Sequence, residues 1–550
     1  MEKLGKIGLS GLILMTACGF TVLKRWALDN DAWFIFNCGR YVLENGIPHE
    51  EFATMHEGLH YVMQQWLTAV IFWKVFDNFG ADGVIFLAWL FGFILMFLYF
   101  KLCLYVSNNN EKISVLLSLP VTFFILVFIN TRPQIFSTLL FLIEVFLLEK
   151  YFRERKNWTL CILPLLSALC VNLHAAVWPM SIILILPFIA ESLILKIKKS
   201  PSPIKPLLLT TVGIFFAGLL NPYGFEAMNY LFTSMSEEVY TLSNEIKPPI
   251  YLNPLSTTFT LAALFIFSLL LIFANFRKIF PPRYFFLSFG LMILAFSSFR
   301  ALFWFLILGT FPLAYAFKKS QPFDNAFIIR NKLFIPLFVI CGVETFLVFE
   351  QAENSIIEAP LPIKFIFTLT IIFLLLFIFF YRRKGKLFSE KIFILRRKPL
   401  IAFTFLQTMI FFATAYFYIP AQNYEIYKAA LDFLLSKNRA ENIVLWTDVF
   451  SGSYAEFRGV KCYIDVRNEV FIPENNHKKN INKEYIELLT GKLDYREFFA
   501  RYNFTHIFVT GNYKLLYDAL SQDKNYRVAF EYDISSAKRV QGRIFVPVKK

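Results

Sequence analysis

Two aspartates open a long polar segment that follows the first apolar stretch of the chain. Asp29 and Asp31 form the motif DND, with Trp33 directly behind them. A carboxylate at a membrane surface, partly removed from water, can act as a general base toward a hydroxyl group or hold a cation. An aspartate that caps an interfacial helix would occupy the same place without a chemical role. Spacing alone leaves both interpretations open.

Two arginines and one histidine stand at the ends of other apolar stretches. Arg132 belongs to the motif TRPQ, Arg300 to SSFR and His174 to NLH. A guanidinium group can bind a phosphate through two hydrogen bonds, or it can anchor a helix by reaching toward lipid headgroups. The histidine could bind a ligand or simply lie at the interface. Further candidates for substrate binding come from these motifs and from NPYG: Gln134, Asn172 and Tyr223.

The first polar segment also contains residue types that bind metal ions. His56 and His60 are four residues apart, which is a metal-ligand spacing on a helix, and Glu57 lies between them. These three residues are the candidate ligands for a possible divalent cation. The alternative is a solvated loop that carries surface histidines, and the sequence favours it.

The composition of the chain indicates whether these residues belong to a soluble protein or to a membrane protein. Of the 550 residues, 57% are hydrophobic and only 17% are charged, an apolar excess that indicates a membrane protein. The net charge of +15 does not indicate nucleic-acid binding, because the lysines and arginines form short clusters between apolar stretches. The seven cysteines form no CxxC pair, so neither a disulfide framework nor a zinc site is indicated.

Thirteen apolar stretches are long enough, at about 17–25 residues, to cross the hydrocarbon core of a bilayer. They lie near 7–27, 82–106, 113–130, 134–149, 158–174, 177–195, 206–220, 259–276, 284–299, 301–317, 333–350, 364–381 and 399–418. A further segment at 61–79 is apolar but also contains charged residues. If it lies in the membrane interface, the cytoplasmic side collects 27 lysines and arginines and the opposite side eight, leaving aside the soluble domain. We therefore predict a cytoplasmic N-terminus and an extracytoplasmic C-terminal domain.

Two domains are expected, with boundaries at a shift in composition. The membrane domain spans 1–420, and its first outer loop at 28–81 includes the interfacial segment 61–79. From 421–550 the chain becomes charged, and an amphipathic helix at 424–437 is followed by a strand-like run at 443–448. Further strand-like runs at 461–466 and 505–511 alternate with helical stretches near 484–501 and 513–520. This alternation predicts a soluble α/β domain with partly parallel strands. No GxGxxG or P-loop motif occurs, so nucleotide binding has no support.

Several motifs, taken in order, resemble one known group of proteins. The stretch DNDAWFIFNCGRYVLENGIPHEEFATMHEG, the motif QQWL at 64–67, and the later TRPQ, NLH, NPYG and IDVRNE segments are similar to those of bacterial GT-C-type membrane glycosyltransferases. The resemblance implies a polytopic α-helical membrane fold with about 13 transmembrane helices and an extracytoplasmic α/β domain. It also implies that Asp31 or Asp29 is the base, and that Arg132, His174 and Arg300 lie near a carrier phosphate.

Sugar transfer at the outer face of a bacterial inner membrane is therefore the predicted function. The donor would be a sugar on a polyprenyl phosphate or diphosphate, and the acceptor an extracytoplasmic glycan, lipid or protein. A flippase or transporter of lipid-linked glycans is one alternative. A catalytically inactive scaffold for envelope assembly is another, because Ile35 and the QQWL motif differ from the pattern of the group.

Overall fold

The computed structural model describes residue 28 and residues 30–128, 130–249, 254–276, 279–320, 424–533 and 541–548. Four predicted spans lie outside these residues, at 7–27, 333–350, 364–381 and 399–418, and so does Asp29. The number of thirteen spans therefore stays a prediction, as do the boundaries of the two domains.

The N-terminal part of the described chain is helical. Its helices are α1 Asn30–Asn45, α2 Trp66–Val106, α3 Glu111–Phe128, α4 Gln134–Glu154, α5 Trp158–Cys161, α6 Leu163–His174, α7 Pro179–Ile183, α8 Leu186–Ile197, α9 Ile204–Gly218, α10 Phe225–Thr233, α11 Glu237–Leu242, α12 Pro254–Phe276, α13 Pro282–Ser297, α14 Phe299–Trp304 and α15 Pro312–Ser320. Four helical stretches within the described residues are long and apolar enough to cross a membrane: Trp66–Val106, Trp158–Val177, Pro179–Ile197 and Phe299–Lys318.

A break within α2 separates the predicted interfacial segment from the next predicted span. Helix α2 has 41 residues, and Gly80 within it adopts a non-helical conformation with φ of 66° and ψ of −164°. Glycine can adopt this conformation because it has no Cβ atom. Residues 61–65 are not helical and belong to the preceding loop. The placement of the part before Gly80 along the membrane surface stays a prediction.

The predicted span at 301–317 is not one regular helix. An extended residue, Ser298, separates α13 from α14, and a π-helical turn at Phe305–Gly309 follows before α15 begins at Pro312. Proline lacks a backbone N–H group and therefore interrupts the regular hydrogen-bond pattern. The break at Ser298 places Arg300 in the first turn of α14.

The C-terminal part contains a mixed five-stranded sheet. Its strands are β1 Val444–Trp446, β2 Lys461–Cys462, β3 His506–Thr510, β4 Tyr526–Asp533 and β5 Gln541–Pro547, in the order β2-β1-β3-β5-β4. Strand β1 runs parallel to β2 and β3, whereas β5 runs antiparallel to β3 and β4. The predicted α/β region with a partly parallel sheet is thus confirmed.

The described helices of this region follow the predicted pattern in part, because the helices at 449–457 and 473–476 were not predicted. They are α16 Tyr424–Lys437, α17 Val449–Phe457, α18 Pro473–Asn476, α19 Ile481–Leu489, α20 Tyr495–Tyr502 and α21 Lys514–Gln522. The single helical stretch expected near 484–501 is two helices. Gly491 after α19 has φ of 73° and ends that helix, and the Asp494 carboxylate caps α20 by accepting hydrogen bonds from the next residues.

The C-terminal region packs directly on the first outer loop through α17 and α1. The ring of Trp33 lies 4.9 Å from that of Tyr454 and 5.1 Å from that of Phe457. Arg40 donates a hydrogen bond of 3.1 Å to the carbonyl oxygen of Phe457. Within the C-terminal region, a Cβ atom at Gly452 of α17 would lie 2.1 Å from the backbone oxygen of Ile464, so the packing of α17 on that segment requires glycine. The position of α1, which carries Asp31, is therefore tied to the sheet.

Candidate functional site

Four charged side chains from distant parts of the chain meet at one end of the helical region. Arg132 donates from Nε to Oδ2 of Asp31 at 3.0 Å. Its Nη1 atom also contacts both carboxylate oxygens of Glu245, at 2.7 and 2.9 Å. Arg300 donates from Nε to Oε2 of Glu245 at 3.1 Å. We call these four residues the Glu245 cluster.

Each member of the Glu245 cluster stands at the end of a helix or in a turn. Asp31 lies in the first turn of α1, where the positive end of the helix dipole favours a carboxylate. Arg132 lies two residues before the first residue of α4, with Pro133 between them. Glu245 lies in a 3-10 turn, Asn244–Ile246, whose following residue accepts a 3.0 Å hydrogen bond from the first residue of α14. Helix ends from four sequence regions thus supply one cluster.

The Glu245 cluster is only partly shielded from solvent. The exposed fraction of the side chain is 19% for Arg132, 25% for Asp31, 38% for Glu245 and 49% for Arg300. Burial alone would raise the pKa of Glu245, but the charges of Arg132 and Arg300 outweigh it and hold that pKa at about 2. The Glu245 carboxylate is therefore ionised at neutral pH.

His174 lies near this cluster but makes a different contact. It ends α6, and its Nδ1 atom lies 3.1 Å from the hydroxyl oxygen of Ser137 in α4. The positive charge of Arg300 lies close enough to act on the His174 ring. Gln64, from the QQWL motif, accepts hydrogen bonds from the backbone N–H groups of the two residues after His174, at 2.8 and 3.2 Å. The first outer loop therefore fixes the end of α6.

The other predicted binding residues have contacts that position the loops. The Asn172 side chain accepts from Trp66 Nε1 at 2.8 Å and donates to the carbonyl oxygen of Leu220 at 2.8 Å. The hydroxyl group of Tyr223 donates to the carbonyl oxygen of Pro48 at 2.7 Å. Gln134 begins α4 and is half-buried. Direct contacts of these residues with a substrate stay predictions.

The sequence spacing of His56 and His60 assumed that both lie on one helix. This assumption is wrong, because residues 51–65 do not form a helix. The His56 ring donates from Nε2 to the carbonyl oxygen of Tyr463 at 2.8 Å, and burial together with Lys479 lowers its pKa to about 4. His60 instead contacts Glu226 at 3.2 Å. Within the described ranges, no group of three or more His, Cys, Asp or Glu side chains could hold a metal ion.

Sequence reasoning missed two carboxylates of this region. Glu245 lies in a polar loop without regular periodicity, so only its acidic character could have indicated a role. Glu469 comes from the C-terminal region and accepts a 3.3 Å hydrogen bond from Gln64. Burial raises the pKa of Glu469, while Arg300 is among the groups that lower it. The IDVRNE motif contains Glu469, but sequence alone does not show that it reaches the membrane domain.

A second group of charges joins the first outer loop to the C-terminal region. Arg467 donates to Asp465 at 2.7 Å through Nε and to Glu51 at 2.8 Å through Nη2, and Glu456 lies 3.6 Å from Nη2. All four side chains are at most 2% exposed. Burial and the charge of Asp465 raise the pKa of Glu456 well above its ordinary value. We call these four residues the Arg467 cluster.

No family model matches the sequence, and no curated protein matches it at a significant level. Solved structures do match its fold. ArnT from Cupriavidus metallidurans, bound to undecaprenyl phosphate, matches with a TM-score of 0.51 and 10% identity over 98% of this chain and 97% of that one. The apo oligosaccharyltransferase from Archaeoglobus fulgidus matches with a TM-score of 0.53 and 11% identity over 98% of this chain and 74% of that one.

These similarities identify the architecture. Both solved proteins have the GT-C fold of membrane glycosyltransferases, so the GT-C fold implied by the sequence motifs is confirmed. At 10% and 11% identity the likeness concerns the fold alone. The chain is a multi-pass membrane protein with a GT-C-like helical core and a C-terminal α/β region.

Proposed function

We propose that this protein is a glycosyltransferase that moves a sugar from a polyprenyl phosphate or diphosphate carrier to an extracytoplasmic acceptor. The observation that carries the proposal is the convergence of Arg132 and Arg300, from different helix ends, on one carboxylate beside Asp31. Two guanidinium groups that share one anion form a suitable binding site for a phosphate. The undecaprenyl phosphate in the ArnT structure supports a carrier of this class.

Asp31 is the proposed base in this reaction. The acceptor hydroxyl oxygen forms a bond to the anomeric carbon of the sugar, while the bond from that carbon to the carrier phosphate oxygen breaks. The acceptor proton moves to the Asp31 carboxylate. The electron pair of the broken bond stays on the carrier phosphate, and Arg132 and Arg300 stabilise the negative charge that develops there. Asp29 is the alternative base.

A divalent cation does not fit the side chains described at this site. Asp31 and Glu245 each contact Arg132, so a cation bound by either carboxylate would lie close to a guanidinium group of the same sign. We therefore propose no step through a metal ion. Fixed positive charge for the leaving phosphate comes from the two arginines.

Lipid analysis and one substitution test the proposal. Mass spectrometry of lipids extracted from the purified protein should detect a polyprenyl phosphate or its glycosylated form. Asp31→Asn should lower sugar transfer by about 10²–10⁴-fold, the usual contribution of a general base, while expression stays normal. Asp29→Asn should have the smaller effect. If Asp31→Asn leaves transfer unchanged, Asp31 is not the base. If no such lipid co-purifies and the wild type transfers no sugar, the scaffold alternative replaces the enzyme.

The orientation of the chain belongs to the same proposal. The distribution of lysines and arginines places the N-terminus in the cytoplasm and the C-terminal region outside, on the same side as the Glu245 cluster. A reporter fused after Lys550 should be active only outside the cytoplasm. Activity restricted to the cytoplasm would contradict an extracytoplasmic site.

A further inference from the structure

The turn that carries Glu245 has little apolar packing to hold it. None of the residues in the turn Asn244–Ile246 is buried. Backbone hydrogen bonds fix the segments on either side, from Ser243 to Val239 at 2.9 Å and from Phe299 to Lys247 at 3.0 Å. Segments with few buried apolar contacts open at a low cost in free energy. Movement of this turn therefore has a low cost in free energy.

The charge of Glu245 opposes the ligand that the arginines are proposed to bind. A phosphate placed between Arg132 and Arg300 would lie within a few ångströms of this carboxylate, and like charges at such distances repel. With a pKa of about 2, Glu245 does not become neutral in the physiological range. Movement of the Glu245 side chain away from the two arginines would remove this repulsion.

We propose that Glu245 is a stand-in for the carrier phosphate. Its carboxylate holds Arg132 and Arg300 in position until the carrier binds, and then moves away from them. The inference rests on the proposed function. Carboxylates and phosphates both accept paired hydrogen bonds from guanidinium groups, so one arrangement of the two arginines serves both anions. Without an anion between them, the two positive charges would repel each other and separate.

Asp31 holds Arg132 in position when Glu245 leaves the two arginines. Arg132 contacts Asp31 through Nε and Glu245 through Nη1, so departure of Glu245 leaves the contact with Asp31 in place. The guanidinium group then presents its Nη1 atom to the phosphate from a position that is already fixed. Binding of the carrier is thus an exchange of one anion for another, and its apparent affinity is lowered by the competition with Glu245.

Binding of two lipids to the full-length protein tests this inference. Undecaprenyl phosphate and undecaprenol share the same chain and differ in the phosphate. Glu245→Gln keeps the size and the hydrogen-bonding oxygen of the side chain but removes its charge. We expect this variant to bind undecaprenyl phosphate about 3- to 30-fold more tightly than the wild type, with unchanged binding of undecaprenol. Glu237→Gln, which removes an exposed charge from the same loop, should bind both lipids as the wild type does.

The outcomes separate this inference from the proposed function. If the wild type prefers the phosphate over the alcohol but Glu245→Gln binds the phosphate equally or more weakly, the stand-in role is wrong and the phosphate site remains. If neither protein distinguishes the phosphate from the alcohol, the proposed function itself is wrong.

Hydrogen exchange on the wild type gives a test that does not depend on a variant. Addition of undecaprenyl phosphate should speed amide exchange in residues 243–247, because the turn loses its contacts with Arg132 and Arg300. Undecaprenol should not have this effect. Slower exchange of this turn with the phosphate lipid would show that Glu245 stays in the site, which overturns the inference.

Discussion

The Arg467 cluster and the Glu245 cluster use the same residue types in opposite surroundings. In the Arg467 cluster one guanidinium group meets three carboxylates, and no side chain is more than 2% exposed. In the Glu245 cluster two guanidinium groups meet two carboxylates, and Arg300 is half exposed. Water and a ligand can reach the second cluster but not the first. Burial therefore distinguishes the cluster that joins two regions from the cluster that we propose binds the carrier phosphate.

This difference also determines how much each cluster contributes to stability. Removing one partner of a buried ion pair leaves an unpaired charge that has lost its water, which is strongly unfavourable. Exposed ion pairs contribute little, because water solvates each partner when the other is lost. The Arg467 cluster should therefore control the folded state, and the Glu245 cluster should control ligand binding.

The largest expected effect is the loss of stability on Arg467→Ala. Glu51, Asp465 and Glu456 would remain buried without a positive partner, and the free energy of unfolding should fall by about 3–5 kcal/mol. Arg300→Ala at the exposed cluster should lower it by about 1 kcal/mol or less. Thermal unfolding of the two purified variants measures both. Equal losses would show that burial does not separate the two clusters.

Acid should weaken the junction that contains the Arg467 cluster. His56 donates to the carbonyl oxygen of Tyr463 there, and burial and Lys479 lower its pKa from 6.5 to about 4. A lowered folded-state pKa means that the neutral ring stabilises the fold above pH 6.5 and that this contribution is lost as the pH falls toward 4. The loss should reach at most about 3 kcal/mol.

His56→Gln identifies the group responsible for this acid sensitivity. Glutamine can still donate a hydrogen bond to Tyr463, but it does not titrate. The difference in melting temperature between pH 7 and pH 4.5 should therefore be smaller in the variant than in the wild type. An identical difference in both proteins would assign the acid sensitivity to another group.

Glu456 should give the opposite dependence of stability on pH. Burial and the charge of Asp465 raise its pKa above the ordinary value of 4.5. The protonated form is therefore the one that the fold accommodates, and stability should decline as the pH rises above 4.5 and through the folded-state pKa. Glu456→Gln resembles the protonated form and should remove this decline. A steeper decline in the variant would show that the wild-type residue is ionised.

The sequence predicts the elements of the fold better than the contacts between them. Helix Tyr424–Lys437 has the predicted bounds, because its amphipathic pattern is local. Gly491 and Asp494 are also local signals, because they end one helix and begin the next. The prediction of one continuous helix near 484–501 overlooked both. Arg467 and Glu51 are separated by 416 residues, and no periodic pattern indicates that such residues meet.

The candidate site shows the same limit. Asp31, Arg132 and Arg300 stand out in sequence because each polar residue follows or precedes an apolar stretch. Glu245 has no such signal, since it lies in a polar loop among other acidic residues. Its importance comes from the two arginines that it contacts, and that convergence depends on the packing of four helix ends. The His56 and His60 spacing was misleading because it assumed a helix where the chain forms a loop.

The smallest expected effect concerns salt, which should act on one cluster and not on the other. The screening length is about 10 Å at 0.1 M salt and about 3 Å at 1 M, so half-exposed charges are screened while buried ones are not. Comparing undecaprenyl phosphate with undecaprenol removes the effect of salt on the apolar chain, which both lipids share. The preference for the phosphate should therefore fall by about threefold between these salt concentrations. The melting temperature of the wild type should not fall over the same range, because the Arg467 cluster is inaccessible to ions. If salt lowers the melting temperature and leaves the lipid preference unchanged, the roles assigned to the two clusters must be exchanged.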